Sequence, residues 1–142
     1  MVAKDKLDQT YMRMAEELAE LSYAERRKVG CLIVKNTQII SEGFNGTPAG
    51  FDNSCEYYDH LDEIHTKPEV LHAESNAIAK LARSTNSSSE STLYVTLAPC
   101  YECSKLIIQA GIKRVVYKER YHSVLGLNLL EKAKVKHERI NV

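Results

Sequence analysis

No stretch of these 142 residues approaches the ~20 consecutive apolar side chains of a helical membrane span, so that class is excluded. Neither sign of charge predominates. Nineteen Lys and Arg stand against nineteen Asp and Glu, so the basic bias with which proteins hold long nucleic acids is missing. A small-molecule substrate is therefore favoured over a polymer, and neither polymeric nucleic acid nor a membrane is an expected partner. Residues 1–9 alternate Lys and Asp and lack the apolar h-region of a secretory signal, which makes cytoplasmic residence the expectation. Without such a signal, the four cysteines read as thiols or metal ligands in a reducing compartment, not as two disulfides.

What is present is an average globular composition, 44% apolar and 27% charged. A chain of this length buries close to ~70% of its unfolded surface without a covalent staple. No repeat, linker or composition shift divides it, so residues 1–142 read as one domain. Leu7, Met14, Leu18 and Leu21, with Tyr11 on the same side, recur at helical spacing and predict an amphipathic first helix ending near Ser22. Residues 29–34 and the run around Ile39 and Ile40 predict a hairpin across a short polar turn. Residues 43–68, rich in Gly, Asn, Asp and His, read as a long loop, a feature that invites a functional explanation. The remainder alternates: helix over 72–83, polar loop over 84–91, strand over 92–97, helix over 100–110 closed by Gly111, strand over 113–117, helix over 126–134, and an edge strand over 135–142. This order predicts an α/β fold, a three-layer αβα sandwich around a central mixed five-stranded sheet.

Chemistry concentrates in two short segments, His72-Ala73-Glu74 and Pro99-Cys100-Tyr101-Glu102-Cys103. One imidazole and two thiolates suit zinc, and three protein ligands leave the fourth tetrahedral position for water, as in catalytic sites. Both segments are expected at helix amino termini, where free N–H groups and the helix dipole favour thiolates at Cys100 and Cys103. Two cysteines three apart share one side of a helical turn, so convergence with His72 on one ion is sterically reasonable. Glu74, two residues from His72, is free to shuttle a proton between metal-bound water and a substrate ring, water whose pKa zinc lowers to about 7. The competing reading is a core histidine beside a structural zinc or a redox cysteine pair. It leaves His-Ala-Glu unexplained, and a structural zinc would want a fourth ligand.

His-x-Glu followed by Pro-Cys-x-x-Cys resembles the signature of zinc-dependent nucleobase deaminases. Two further segments, Arg26-Arg27-Lys28-Val29-Gly30 and Gly43-Phe44-Asn45-Gly46-Thr47-Pro48, together with the His72 motif, resemble the deoxycytidylate (dCMP) deaminase family in order and spacing. The likeness runs from about residue 18 to residue 130, through Thr92-Leu93-Tyr94-Val95-Thr96 and Ala110-Gly111-Ile112.

The resemblance implies a cytidine deaminase-like αβα sandwich, hydrolysis of dCMP to dUMP and ammonia with one catalytic Zn2+, and a homohexamer activated by dCTP and inhibited by dTTP. It implies that Asn45 hydrogen-bonds the sugar, that the Ala98 carbonyl accepts from the ring amino group, and that Gly43, Asn45 and Gly46 contribute to an effector site. Arg26, Lys28, Arg120 and Tyr121 supply the cationic or hydroxyl groups expected near the phosphate, the alternative being charges that are simply solvated. After Tyr117 the chain departs from the family, with Arg120-Tyr121-His122-Ser123 in place of a Tyr-Arg-Asp segment. Rival readings are a related zinc deaminase acting on cytidine, guanine or tRNA adenosine, and a non-catalytic nucleotide-binding module. Cys31 reads as a buried thiol. Cys55, His60 and His65 form at most a partial metal site, and neither a second, structural zinc nor an effector-bound Mg2+ is assigned.

Overall fold

The hairpin is present. β1 (Gly30–Lys35) and β2 (Gln38–Phe44) pair antiparallel, joined by Asn36 and Thr37, both in the left-handed region at φ 51° and 61°. Two consecutive positive φ values make the turn twist with the strands. The Tyr11 hydroxyl donates to the Thr37 carbonyl at 3.0 Å and ties this turn to the first helix.

The computed structural model describes residues 1–141. Around the hairpin lie α1 (Lys4–Ala19), α2 (Ala73–Leu81), β5 (Thr92–Leu97), α3 (Tyr101–Gln109), β6 (Arg114–Glu119), α4 (Leu125–Lys132) and β7 (Lys136–Arg139). The sheet order is β2-β1-β5-β6-β7, antiparallel through β2, β1 and β5 and parallel through β5, β6 and β7. This is the expected mixed five-stranded sheet. The last strand is shorter than expected, and Val142 lies outside the described residues.

Strand periodicity sorts the core into two layers. Leu32, Val34, Tyr94 and Val116 face Tyr11, Met12 and Ala15 of α1. Cys31, Ile33, Leu93, Val95 and Val115 face the other way, onto Ala73, Ala77, Ile107 and Leu130.

Helix α1 departs from its expected boundary and face. It ends at Ala19, and its buried residues are Asp8, Tyr11, Met12, Ala15 and Ala19. Leu7 and Leu18 only flank that cluster, while Met14 and Leu21 are exposed. The cause is a close approach to β1: a Cβ at Gly30 would stand 2.1 Å from the Ala15 carbonyl oxygen and 2.6 Å from the Ala19 nitrogen. A helix pressed onto strand backbone at a glycine needs alanines at the contact, and its leucines are displaced to the rim.

The 43–68 segment is also not all loop. It carries a two-stranded ribbon, β3 (Glu56–Tyr58) and β4 (Ile64–Thr66), with Glu56 opposite Thr66. Two polar or aromatic three-residue strands leave almost no periodicity to read.

Candidate metal and active site

His72 caps α2 with extended backbone (φ −71°, ψ 158°), and Cys100 caps α3 in the same way (φ −73°, ψ 174°). Both segments thus stand at helix amino termini, as expected. The Nδ1 of His72 lies 3.2 Å from the Cys103 Sγ and 3.5 Å from the Cys100 Sγ. Zinc bonds of ~2.0 Å to nitrogen and ~2.3 Å to sulfur at tetrahedral angles put such donors ~3.5 Å apart, so the three fit one ion. Gly126 of α4 holds this corner from behind. A Cβ there would sit 2.2 Å from the Pro99 carbonyl oxygen and 2.9 Å from that of Cys100.

The protonation of the pair differs from the expectation of two thiolates. A hydrogen bond from Cys103 lowers Cys100 to about 4, against opposing burial and with help from His72. Cys103 is driven far upward by donating to Cys100, by burial and by the charge of Glu74. A helix terminus favours a thiolate, but two adjacent thiolates repel, and the buried member keeps its proton until a cation replaces it. His72 is raised, chiefly through its hydrogen bond to Cys100.

Glu74 stands just inside, 4% exposed. Burial pushes its carboxyl up to about 7. It can hold or release a proton near neutrality, which suits acid–base work.

In front of these groups lies a cavity of about 370 Å³, within the range of small-ligand sites. His72, Glu74, Cys100, Ala98 and Asn45 all line it, as do Arg26 and Tyr121. Burial raises the Tyr121 hydroxyl further and keeps it protonated, a neutral donor. Lys28 and Arg120 are not in the wall: both are exposed, and the Lys28 ammonium lies 3.8 Å from Glu20. In their place the wall contains Arg27, paired with Glu119, and His122, whose ring packs tilted against that of Tyr121 with centroids 4.0 Å apart. The 22–29 segment has no regular period, so nothing in the sequence distinguished Arg27 from Lys28. The one signal for His122 was its adjacency to Tyr121.

Asn45 also braces the backbone. Its Oδ1 accepts from the Val29 amide at 2.9 Å and its Nδ2 donates to the Arg27 carbonyl at 2.7 Å. A carboxamide has two N–H groups, so one is left for a ligand. Gly43 and Gly46 do not have positive φ. Gly43 lies against α2, where a Cβ would meet the Ala73 oxygen at 2.5 Å, whereas Gly46 has nothing within 4 Å.

Cys31 is fully buried and donates to the Ala73 carbonyl at 3.3 Å. The grouping of Cys55 with His60 and His65 is not formed. His65 instead meets Asp59 at 2.6 Å, with Glu63 nearby, while Cys55 is buried apart.

The model of the cytidine and deoxycytidylate deaminase zinc-binding region matches residues 5–119. The deoxycytidylate deaminase of Enterobacteria phage T4 is 34% identical over 149 aligned positions, covering 79% of this chain and 77% of the phage protein. The deoxycytidylate deaminase of Saccharomyces cerevisiae is 37% identical over 120 positions, 80% of this chain but only 38% of the yeast protein. Among solved structures, the dCMP deaminase of cyanophage S-TIM5, crystallised with dCMP and dUMP, superimposes with a TM-score of 0.90 at 41% identity, over 98% of this chain and 100% of that one.

Proposed function

The chain belongs to the cytidine and deoxycytidylate deaminase family, and on that premise we propose that it hydrolyses the 4-amino group of dCMP, giving dUMP and ammonia. The observation that carries this reading is the convergence of His72, Cys100 and Cys103 beside a buried Glu74, at the floor of a cavity whose wall also holds Arg26, Arg27 and Tyr121. A bare nucleobase would have no use for that cationic wall.

The metal would be held by the His72 Nδ1 and the two cysteine sulfurs. When bound, zinc supplies the Lewis acidity that makes water nucleophilic at neutral pH. Glu74 takes a proton from the water that attacks C4 and passes it to the ring nitrogen, then takes the proton of the new C4 hydroxyl and delivers it to the amine as the C4–N bond breaks, so that water and dCMP become dUMP and ammonia. The Ala98 carbonyl accepts from the 4-amino group and orients the ring. The spare N–H of Asn45 serves the sugar. Arg26 and Tyr121, with Arg27 and His122 beside them, serve the phosphate, a role in which fixed guanidinium donors are effective. We read residues 1–142 as one catalytic domain that acts in the cytoplasm.

The same resemblance supports a homohexamer activated by dCTP and inhibited by dTTP. With Gly43 committed to packing on α2, the open position at Gly46 and neighbouring Asn45 are the groups left for an effector. The deciding measurement is ammonia release from dCMP, deoxycytidine and adenosine-containing RNA, each with and without dCTP or dTTP, on protein of known zinc content. A zinc-dependent, dCMP-selective rate supports the reading, and deamination of the RNA alone replaces it. Mass measurement in solution tests the hexamer.

A further inference from the structure

Glu56 is one of the few buried charged side chains, 8% exposed, and the reaction as derived has no use for it. Burying a carboxylate is costly unless its ionised form is hydrogen-bonded. Here one oxygen, Oε2, accepts from two successive backbone amides, those of Glu25 at 3.0 Å and Arg26 at 3.1 Å. Directly across the ribbon from Glu56, the Thr66 hydroxyl accepts from the Arg26 Nη1 at 3.2 Å. One residue pair of β3–β4 thus holds Arg26 twice, by main chain and by guanidinium. On the same ribbon, the Tyr58 hydroxyl donates to the Glu25 carboxylate at 3.3 Å.

The segment so held, between α1 and β1, has no ladder of its own to fix it. Asn45 in turn holds the same segment at Arg27 and Val29. Arg26 is thus held by Glu56 and Thr66, and its neighbours Arg27 and Val29 by Asn45, three side chains from distant parts of the chain. Of the five guanidinium N–H groups, Thr66 engages one, so a two-pronged donor remains for an anion.

We infer that Glu56, together with Thr66, is a positioning residue that sets Arg26 toward the substrate phosphate, and that the β3–β4 ribbon carries the preference for a nucleotide over a nucleoside. This rests on the reading of dCMP as substrate. The carboxylate suits the task because its charge is absorbed by two amides of the very segment it positions, which lessens its repulsion of an incoming phosphate.

The test is steady-state kinetics of the zinc-loaded full chain on dCMP and deoxycytidine, with dUMP and deoxyuridine affinity as a second readout. Arg26→Ala sets the size of the phosphate contribution. Glu56→Ala and Thr66→Val raise KM for dCMP more than they lower kcat, and reduce the preference for dCMP over deoxycytidine by about tenfold. Glu56→Gln, which keeps an oxygen acceptor for the amides, retains most of that preference. Thermal unfolding of each variant identifies any that fails to fold, in which case Thr66→Val and Glu56→Gln carry the comparison. The inference is overturned if the Glu56 and Thr66 variants lower both substrates equally, or leave the preference intact while Arg26→Ala abolishes it. An unchanged preference in Arg26→Ala overturns it too, whereas absence of dCMP turnover in the wild type instead refutes the proposed reaction.

Discussion

The Nδ1 of His72 and the Sγ of Cys103 stand 3.2 Å apart, although one caps α2 and the other lies in the first turn of α3. Of the two sulfurs only Cys100 is a ready thiolate, while Cys103 and His72 both lean toward their protonated forms. Metal loading must therefore release protons. By linkage, zinc affinity rises with pH through neutrality, about tenfold per pH unit for each proton released. Competition against a chromophoric chelator at two pH values checks the slope, and calorimetry in two buffers counts the protons. Cys103→Ser lowers zinc occupancy without unfolding the chain. A pH-independent affinity would show that both sulfurs are already ionised.

Glu74→Gln keeps the size of the side chain and removes the proton shuttle. Turnover falls by ~10²–10⁴-fold while zinc content stays the same. The buried carboxyl, pushed up to about 7, also penalises the folded metal-free chain wherever it is ionised. The folded value lies above the unfolded one, so the penalty is absent below about pH 4, grows as pH rises to about 7 and is constant above. Glu74→Gln therefore stabilises the chelator-treated protein by up to ~3 kcal/mol at about pH 8 and not at about pH 4. Urea unfolding at the two pH values decides. Equal stability of wild type and variant at the higher pH would mean that Glu74 is solvated.

The metal cluster was legible in the sequence because its geometry is local: two residues between Cys100 and Cys103 amount to one helical turn, and only the pairing with His72 is long-range. The sheet was legible for a similar reason, since β1, β5 and β6 are apolar runs buried on both faces. Arg27 and Lys28 could not be told apart because neighbours in an irregular segment have no fixed faces. It takes Asn45, sixteen residues or more away, to orient them. The inner face of α1 was misread because leucine spacing reports hydrophobicity, whereas the close contact at Gly30 demands small residues. The ribbon that holds Arg26 left no pattern, its strands being three residues each.

On the far side of the sheet Asp8, 4% exposed, binds the Arg114 guanidinium through both oxygens and accepts from the Tyr94 hydroxyl at 2.6 Å, while Arg114 also pairs with Glu138. Burial alone would raise Asp8, but the hydrogen bonds from Arg114 and Tyr94 outweigh it and hold the carboxyl below its usual range. With the folded value depressed, this stabilisation is complete above about pH 4 and is lost as pH falls through the folded value. Asp8→Ala leaves a largely buried guanidinium with one partner fewer and costs ~3 kcal/mol at neutral pH. The difference from wild type narrows in acid. Circular dichroism during acid titration measures it, and parallel acid unfolding of the two proteins would rule the network out as a pH-dependent contributor.

Gly126 couples the last helix to the metal corner. The Cβ of an alanine there would stand 2.2 Å from the Pro99 carbonyl oxygen, which is backbone and cannot swing aside as a side chain would. Either α4 retreats or the segment that carries Cys100 shifts. Since α4 is anchored by Leu130 in the core, much of the strain falls on the α3 terminus. Gly126→Ala is therefore expected to lose ~2 kcal/mol of stability and, in the folded fraction, zinc occupancy along with activity. Gly46→Ala is the control: nothing lies within 4 Å of its Cβ position, so its stability and zinc content match the wild type. Zinc analysis and thermal unfolding of the two variants side by side give the answer. If Gly126→Ala lost stability but kept full zinc in its folded fraction, α4 would be the element that yields, and the corner at Cys100 would be held by α3 alone.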